Sequence, residues 1–311
     1  MNHLSSKEAL SWPNSLNSFA ALIGSDRNLT QGPGGNISLK EDGRLWIKAS
    51  GTHLKDALIK PIFVGLDLIE ARQNIISGNE IFLNRYGLGE NSLRASIETA
   101  MHVQIQATYV AHVHSVGSVS MSVLLEKELA VNAAKNFCEV VYVPYVKPGI
   151  KLARELEKVL TPNSKAALLG NHGLTVWGDS SEECMEIIQN LEQIWNETLQ
   201  RTLSKPQNQF VTDRSALWKE VLSRGVLVPD EIVFLGDSAF RLIDFATDAF
   251  HLLSVENQNK VQDSDWLGDF VEILEKIARH VKDPDRLRYL TPSEIAELTN
   301  WDAEKYRQGL K

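Results

Sequence analysis

The stretch Tyr109-Val110-Ala111-His112-Val113-His114 decides how the rest of the chain is read. It is apolar and β-branched, as a buried strand is, and the period of two sends both imidazoles to one face. Neutral imidazole is the commonest protein ligand for zinc and similar ions, and a catalytic site typically offers three protein ligands plus an open position. The third candidate is His172 in Leu168-Leu169-Gly170-Asn171-His172-Gly173-Leu174, where an apolar strand ends beside a glycine that lets the backbone pass closely. One such histidine would read as a packed or capping residue. The same-face pair with a third at a strand end predicts a metal site.

Upstream, Ser15 to Ile23 has an apolar helical face, and the glycine-rich Gln31-Gly32-Pro33-Gly34-Gly35-Asn36-Ile37-Ser38 follows. Such a turn aims backbone N–H groups and short polar side chains at an anion, although glycine turns of purely structural purpose are common. It is not a dinucleotide fingerprint: Ile37 stands where a third glycine is needed, and the Walker lysine spacing is missing. A hairpin follows, with Ile37 to Lys40 alternating, Glu41-Asp42-Gly43-Arg44 turning, and Leu45 to Ala49 returning to the small polar turn Ser50-Gly51-Thr52. A strand and helix are expected over Ile62 to Ile76. The segment Ser92 to Gln106 reads as a helix beginning near Ser92 or Ser96, with Glu98 and His102 one turn apart. A glutamate early in a helix ordinarily complements the helix dipole.

Beyond the histidine pair, Ser115 to Leu124 reads as a small-residue helix behind the strand, Glu139 to Pro144 as a strand and Lys151 to Leu160 as a helix. Ala166 to Leu169 leads to His172, Leu174 to Trp177 continues as a strand, and Glu182 to about Leu203 is a long amphipathic helix. Hairpins mixed with helices predict a largely antiparallel sheet covered by helices. The polar run Lys205 to Arg214 marks a boundary, dividing residues 1–204 from a mainly helical C-terminal extension, 205–311. Within the extension, Ser215 to Leu222 reads as a short helix, Ile232-Val233-Phe234-Leu235-Gly236 as a short strand followed by two or three helices, and Thr291-Pro292-Ser293-Glu294 as a capped helix start. His251 and His280 are unpaired in sequence and read as structural or solvent-facing.

A chain of 311 residues with 43% hydrophobic content can fill a true core. A net charge of -8 without extended Lys/Arg clusters speaks against nucleic acid and against a membrane surface. No signal-like segment opens the sequence and no run has the length of a membrane span, so the expected location is cytoplasmic. Cys138 and Cys184 read as buried thiols.

Taken together, Gly34-Gly35-Asn36-Ile37-Ser38, Ala49-Ser50-Gly51-Thr52, Ser96-Ile97-Glu98 with His102, His112-Val113-His114 and Asn171-His172-Gly173-Leu174 resemble, in order, the motifs of the class II aldolase and adducin family. The resemblance covers residues 15 to 203. It implies a three-layer α/β/α fold around a mostly antiparallel sheet. It also implies a divalent ion, zinc foremost, on His112, His114 and His172, with Glu98 as general acid/base and Gly35, Asn36, Ser50, Gly51 and Ser96 as phosphate-binding groups. A homotetramer with sites at subunit interfaces is implied too, Tyr145 contributing a phenol proton across such an interface, although a tyrosine beside Pro144 serves packing equally well. Val228 to Gly236 and Leu298 to Arg307 resemble the aldolase half of bifunctional rhamnulose-phosphate aldolase/dehydrogenase proteins. Two features depart from the family: Ile97 stands where phosphate users often place a second serine, and the link from Glu98 to His112 is shorter than in fuculose-phosphate aldolase.

The expected activity is retro-aldol cleavage of a short ketose phosphate or related sugar through a metal-stabilised enediolate. Epimerisation, dehydration or decarboxylation would use the same parts. A non-catalytic, adducin-like interaction module would be expected to lack the histidines or the acidic residue, all of which stand here.

Overall fold

Strand after strand alternates its apolar side chains between two faces of one sheet. The structure, a computed structural model, describes residues 13–86, 93–202, 220–221, 224–235, 274, 276–277, 280 and 283–299. Seven strands pair in the order β3-β2-β1-β4-β7-β6-β5: β1 (Asn36–Glu41), β2 (Arg44–Lys48), β3 (Phe63–Asp67), β4 (Tyr109–Val113), β5 (Glu139–Val143), β6 (Ser164–Leu169) and β7 (Gly173–Gly178). Every pairing is antiparallel except β5 with β6. The β1–β2 turn places Asp42 and Gly43 at φ 50° and 75°, the double left-handed geometry that suits the twist of a tight hairpin.

Helices cover both faces. On one side α1 (Asn14–Ser25), α4 (Val116–Ser122), α5 (Lys127–Ala134) and α7 (Ser181–Thr202) enclose a core that includes Phe19, Ile37, Ala111, Val113, Ile188 and Trp195. On the other, α2 (Leu68–Ser77), α3 (Thr99–Gln104) and α6 (Ile150–Val159) enclose Ile47, Val64, Met101, Val110, Ala153 and Leu169. This is the expected three-layer α/β/α arrangement, with a mostly antiparallel sheet.

Two elements differ from expectation. The helix read from Ser92 or Ser96 begins only at Thr99, because Ala95 is held in a bridge to Ala49 and Ser96 N donates to Lys48 O at 3.2 Å; Ser92 itself lies outside the described residues. Residues 232–235, read as a strand, belong to the helix α8 (Pro229–Leu235). Proline at its first position, with Asp230 and Glu231 in the first turn, supplies a start signal that outweighs the β-branched run. The helix α5 was not anticipated: eight residues carry too little periodicity to stand out.

The described parts of the extension pack on the first core, where Val226, Leu227, Leu274, Ile277, Leu287 and Leu298 join it. Backbone bonds fasten them: Arg288 N to Val123 O at 2.7 Å, Leu125 N to Arg286 O at 2.8 Å and Leu290 N to Val226 O at 2.8 Å. The helix α9 (Pro292–Thr299) starts as expected, Thr291 N donating to Glu294 Oε2 at 2.8 Å and Glu294 N to Thr291 Oγ1 at 3.3 Å. The boundary run 205–214, His251 and most of residues 215–222 and 300–307 lie outside the described residues. Both cysteines are free thiols, Cys184 buried and Cys138 partly so.

Candidate metal centre

Register places the first histidine. In the pairing of β1, β4 and β7, Asn36 stands opposite His112 and His112 opposite Thr175, so the three form one row across the sheet. His112 shares its face with Val110, and His114 follows one pleat further, just past the end of β4. His172 occupies the turn between β6 and β7. Close passage is built in there: a Cβ on Gly173 would meet Val113 O at 2.5 Å and His114 Cδ2 at 3.2 Å.

The three rings converge, with centroid separations of 4.8, 4.8 and 5.2 Å and one nitrogen from each within 4.8 Å of the others. His112 Nδ1 lies 3.1 Å from both Leu174 O and Thr175 Oγ1, so this nitrogen carries the hydrogen and Nε2 keeps its lone pair. His114 Nδ1 is 2.8 Å from Asp230 Oδ2, a carboxylate oxygen that accepts, so this nitrogen too is the donor. The two Nε2 atoms then face each other at 2.9 Å as lone pairs, an arrangement that a shared cation satisfies. An all-imidazole set with nitrogens so spaced fits an ion bound at roughly 2 Å from each.

Glu98 completes the cluster. It occupies the N-cap position of α3, yet its side chain makes no capping bond. Asn36 Nδ2 donates to its Oε2 at 2.6 Å, and its oxygens lie 3.6 Å from His112 Nε2 and 3.4 Å from His172 Nε2. The short link to His112 therefore reaches. Glu98 Oε1 and Asn36 Oδ1 are buried acceptors that take no hydrogen bond, a pairing of atoms that calls for a cation or hydroxyl donors. Burial opposes the ionisation of Glu98, but the His112, His172 and His114 rings outweigh it and hold the carboxyl below the usual range. Burial pushes His112 well below the usual imidazole value, against the pull of Glu98. His102 is spent elsewhere: its Nδ1 meets Ser38 Oγ at 2.7 Å.

Beside the cluster opens a cavity bounded by Gly35, Asn36, Ser50, Ser96, Ile97 and Glu98. Ser50 N donates to Arg94 O at 2.8 Å, bringing the Ser96 turn alongside, and Gly51 completes the Ser50 turn at φ 78°. Ser96 Oγ accepts from Glu98 N at 3.3 Å and steadies the approach to α3. Ile97 lines the wall, as its departure from the double-serine pattern implies. Tyr145 is not among the residues lining this cavity; it is buried, with the Arg288 guanidinium 5.3 Å from its ring centroid.

Two cavity residues escaped sequence reasoning. Lys48 is buried and its Nζ donates to Pro33 O at 3.0 Å and Thr52 O at 2.7 Å, tying the two polar turns together. A lysine at the end of a strand two residues before Ser50 was the available signal. Asp230 had none, since it arrives from the extension.

Comparison with known proteins gives the same frame. The family model for the class II aldolase and adducin N-terminal domain matches residues 18–198, more than half of the chain. The chain belongs to the class II aldolase and adducin family. A Bacillus subtilis protein described as the uncharacterized oxidoreductase YuxG is 32% identical over 201 residues, 57% of this chain and 29% of its own length. A methylthioribulose-1-phosphate dehydratase from Kluyveromyces lactis is 23% identical over 190 residues, 54% of this chain and 86% of that protein. The N-terminal class II aldolase domain of a Thermoplasma acidophilum protein shares the fold, with a TM-score of 0.52 and 24% identity over 63% of this chain and 98% of that one. The chain thus spans less than a third of the Bacillus relative's length.

Proposed function

We propose that the protein is a divalent-metal-dependent lyase that cleaves a short ketose phosphate by retro-aldol reaction. The observation that carries this reading is the convergence of three neutral-capable imidazoles on a buried, ionised glutamate whose free oxygen faces them. His112, His114 and His172 would hold the ion, and zinc suits an imidazole set with open positions. When bound, the ion would polarise the substrate carbonyl as a Lewis acid.

Glu98, ionised, would take the proton from the hydroxyl beyond the scissile carbon–carbon bond. As that bond breaks, the aldehyde fragment departs with the new C=O, and the bonding electrons move toward the original carbonyl. The protonated Glu98 then returns its proton to carbon. Asn36 holds Glu98 in place through the 2.6 Å bond, and its orphaned Oδ1 would accept from a sugar hydroxyl. Ser50, Gly51 and Ser96, with Lys48 behind them and Gly35 opposite, form the seat for an anionic tail. In the homo-oligomer, a tetramer in this reading, Tyr145 would serve a neighbouring site. A cytoplasmic location accords with it.

Dehydration is the second reading, favoured by the Kluyveromyces lactis relative named as a methylthioribulose-1-phosphate dehydratase. The two separate by product. Metal-reconstituted protein incubated with a panel of ketose phosphates should release glycolaldehyde or lactaldehyde with dihydroxyacetone phosphate; loss of water with the carbon chain intact would instead establish the dehydratase. Elemental analysis should find close to one ion per chain, and the His112→Ala/His114→Ala double variant should lose it. Full occupancy in that variant would remove the histidines from the metal role.

A further inference from the structure

We infer that Asp230, carried in by the C-terminal extension, is a positioning residue of the histidine centre: its carboxylate fixes the His114 ring with hydrogen on Nδ1 and the Nε2 lone pair turned inward. The inference rests on the metal reading above.

The contact is direct, Asp230 Oδ2 lying 2.8 Å from His114 Nδ1, and both side chains are buried. The segment that bears Asp230 is fastened to the centre at a second point. Asn171, the residue before His172, donates through Nδ2 to Leu227 O at 2.8 Å. Glu231 then pins the turn between these points, its Oε2 accepting from Leu227 N at 2.8 Å while its own N donates to Val228 O at 3.1 Å. The stretch 227–231 therefore bridges the His172 turn and the His114 ring.

The glycine-rich turn closes over the other side of the pair. A Cβ on Gly34 would stand 2.9 Å from Gln31 O, 3.1 Å from His114 Nδ1 and 3.2 Å from Asp230 Oδ2, so only a bare backbone fits there. Enclosure of this kind holds the ring angle and keeps water from competing for Nδ1. His112 receives neutral acceptors at the corresponding nitrogen, Leu174 O and Thr175 Oγ1, whereas His114 receives an anion. An anionic partner raises the basicity of the imidazole as a ligand and selects its tautomer, and removing such a partner typically weakens metal binding about 10–100-fold.

The test uses the full chain, unaltered and as Asp230→Ala and Asp230→Asn. Long-range 1H–15N spectra of the metal-free parent should show His114 protonated on Nδ1. Chelator competition with zinc should give Asp230→Ala about 10–100-fold weaker binding, and its His114 tautomer should become mixed. Asp230→Asn, whose amide oxygen still accepts from Nδ1–H, should keep the tautomer and lose less affinity. Protonation of His114 on Nε2 in the parent overturns the assignment, even if the alanine variant fails to fold. So does an alanine variant whose tautomer and zinc affinity match the parent. A parent that fixes the Nδ1–H tautomer but binds no ion defeats the metal reading and leaves the positioning role standing.

Discussion

At position 98 a carboxylate is kept charged inside the protein, and the neighbours that do this are the rings an ion would occupy. Replacing it by an amide keeps the shape and the room for Asn36 while removing the capacity to carry a proton. We expect Glu98→Gln to retain metal and fold and to lower turnover by roughly two to four orders of magnitude, the scale of a lost acid/base group. Elemental analysis with turnover of the identified substrate checks this; parental turnover would move the role to another residue, Tyr145 first. The histidine pair was legible because a period of two is a local property of a strand, and Gly173 made His172 legible by the same kind of local signal. Lys48 was not: its importance comes from Pro33 O and Thr52 O converging on it, and turns separated in sequence meet only after the hairpin forms.

Among the elements, α8 shows how a helix start overrides an apolar run. Ile232 and Val233 favour a strand, but Pro229 sets the backbone angle and Glu231 caps the turn before it. The cap has a cost that depends on pH. Burial raises the Glu231 carboxyl to about 7, outweighing the hydrogen bonds from Leu227 and Val228 that lower it. Since the folded value lies above the unfolded one, the native state binds the extra proton between about pH 4.5 and 7. Stability should fall across that window as pH rises, and the full penalty, up to about 3 kcal/mol at 1.36 kcal/mol per unit, applies above it. Glu231→Gln should flatten this slope and be more stable than the parent at pH 8 by urea unfolding. An unchanged slope would show that Glu231 is not the group responsible. The late start of α3 has a comparable origin: the bridge of Ala95 to Ala49 is a tertiary pairing that no window over residues 92–106 contains.

On the scale of the whole molecule, the seven-stranded sheet followed from its local patterns, while the docking of the extension did not, because it is decided by single side chains meeting across long stretches of chain. Asn171 is the joint. At φ 52° it takes a backbone conformation that asparagine tolerates. Its side chain donates to Leu227 O and to Arg288 O at 2.7 Å and accepts from Arg288 Nη1 at 2.8 Å. Arg288 in turn pairs with Glu294 at 2.6 Å, at the start of α9. Asn171→Gly keeps the backbone and removes these bonds, and should cost roughly 1–3 kcal/mol. Asn171→Ala should cost about 1–2 kcal/mol more for its left-handed backbone. Denaturant unfolding measures both; a glycine variant as stable as the parent would show that the joint bears no load.

The latch between Asn171 and the extension also sets an order of events during synthesis. Strands β1, β4 and β7, which frame the histidines, leave the ribosome before Leu227, Asp230 and Arg288 are made. Folding that proceeds with emergence of the chain would therefore assemble an open trough first and seal it afterwards. An ion offered in that interval meets a wider mouth than one offered to finished protein. Zinc present during cell-free translation should accordingly fill the site faster than zinc added after release, and equal filling rates would show that the sealed molecule admits the ion unaided.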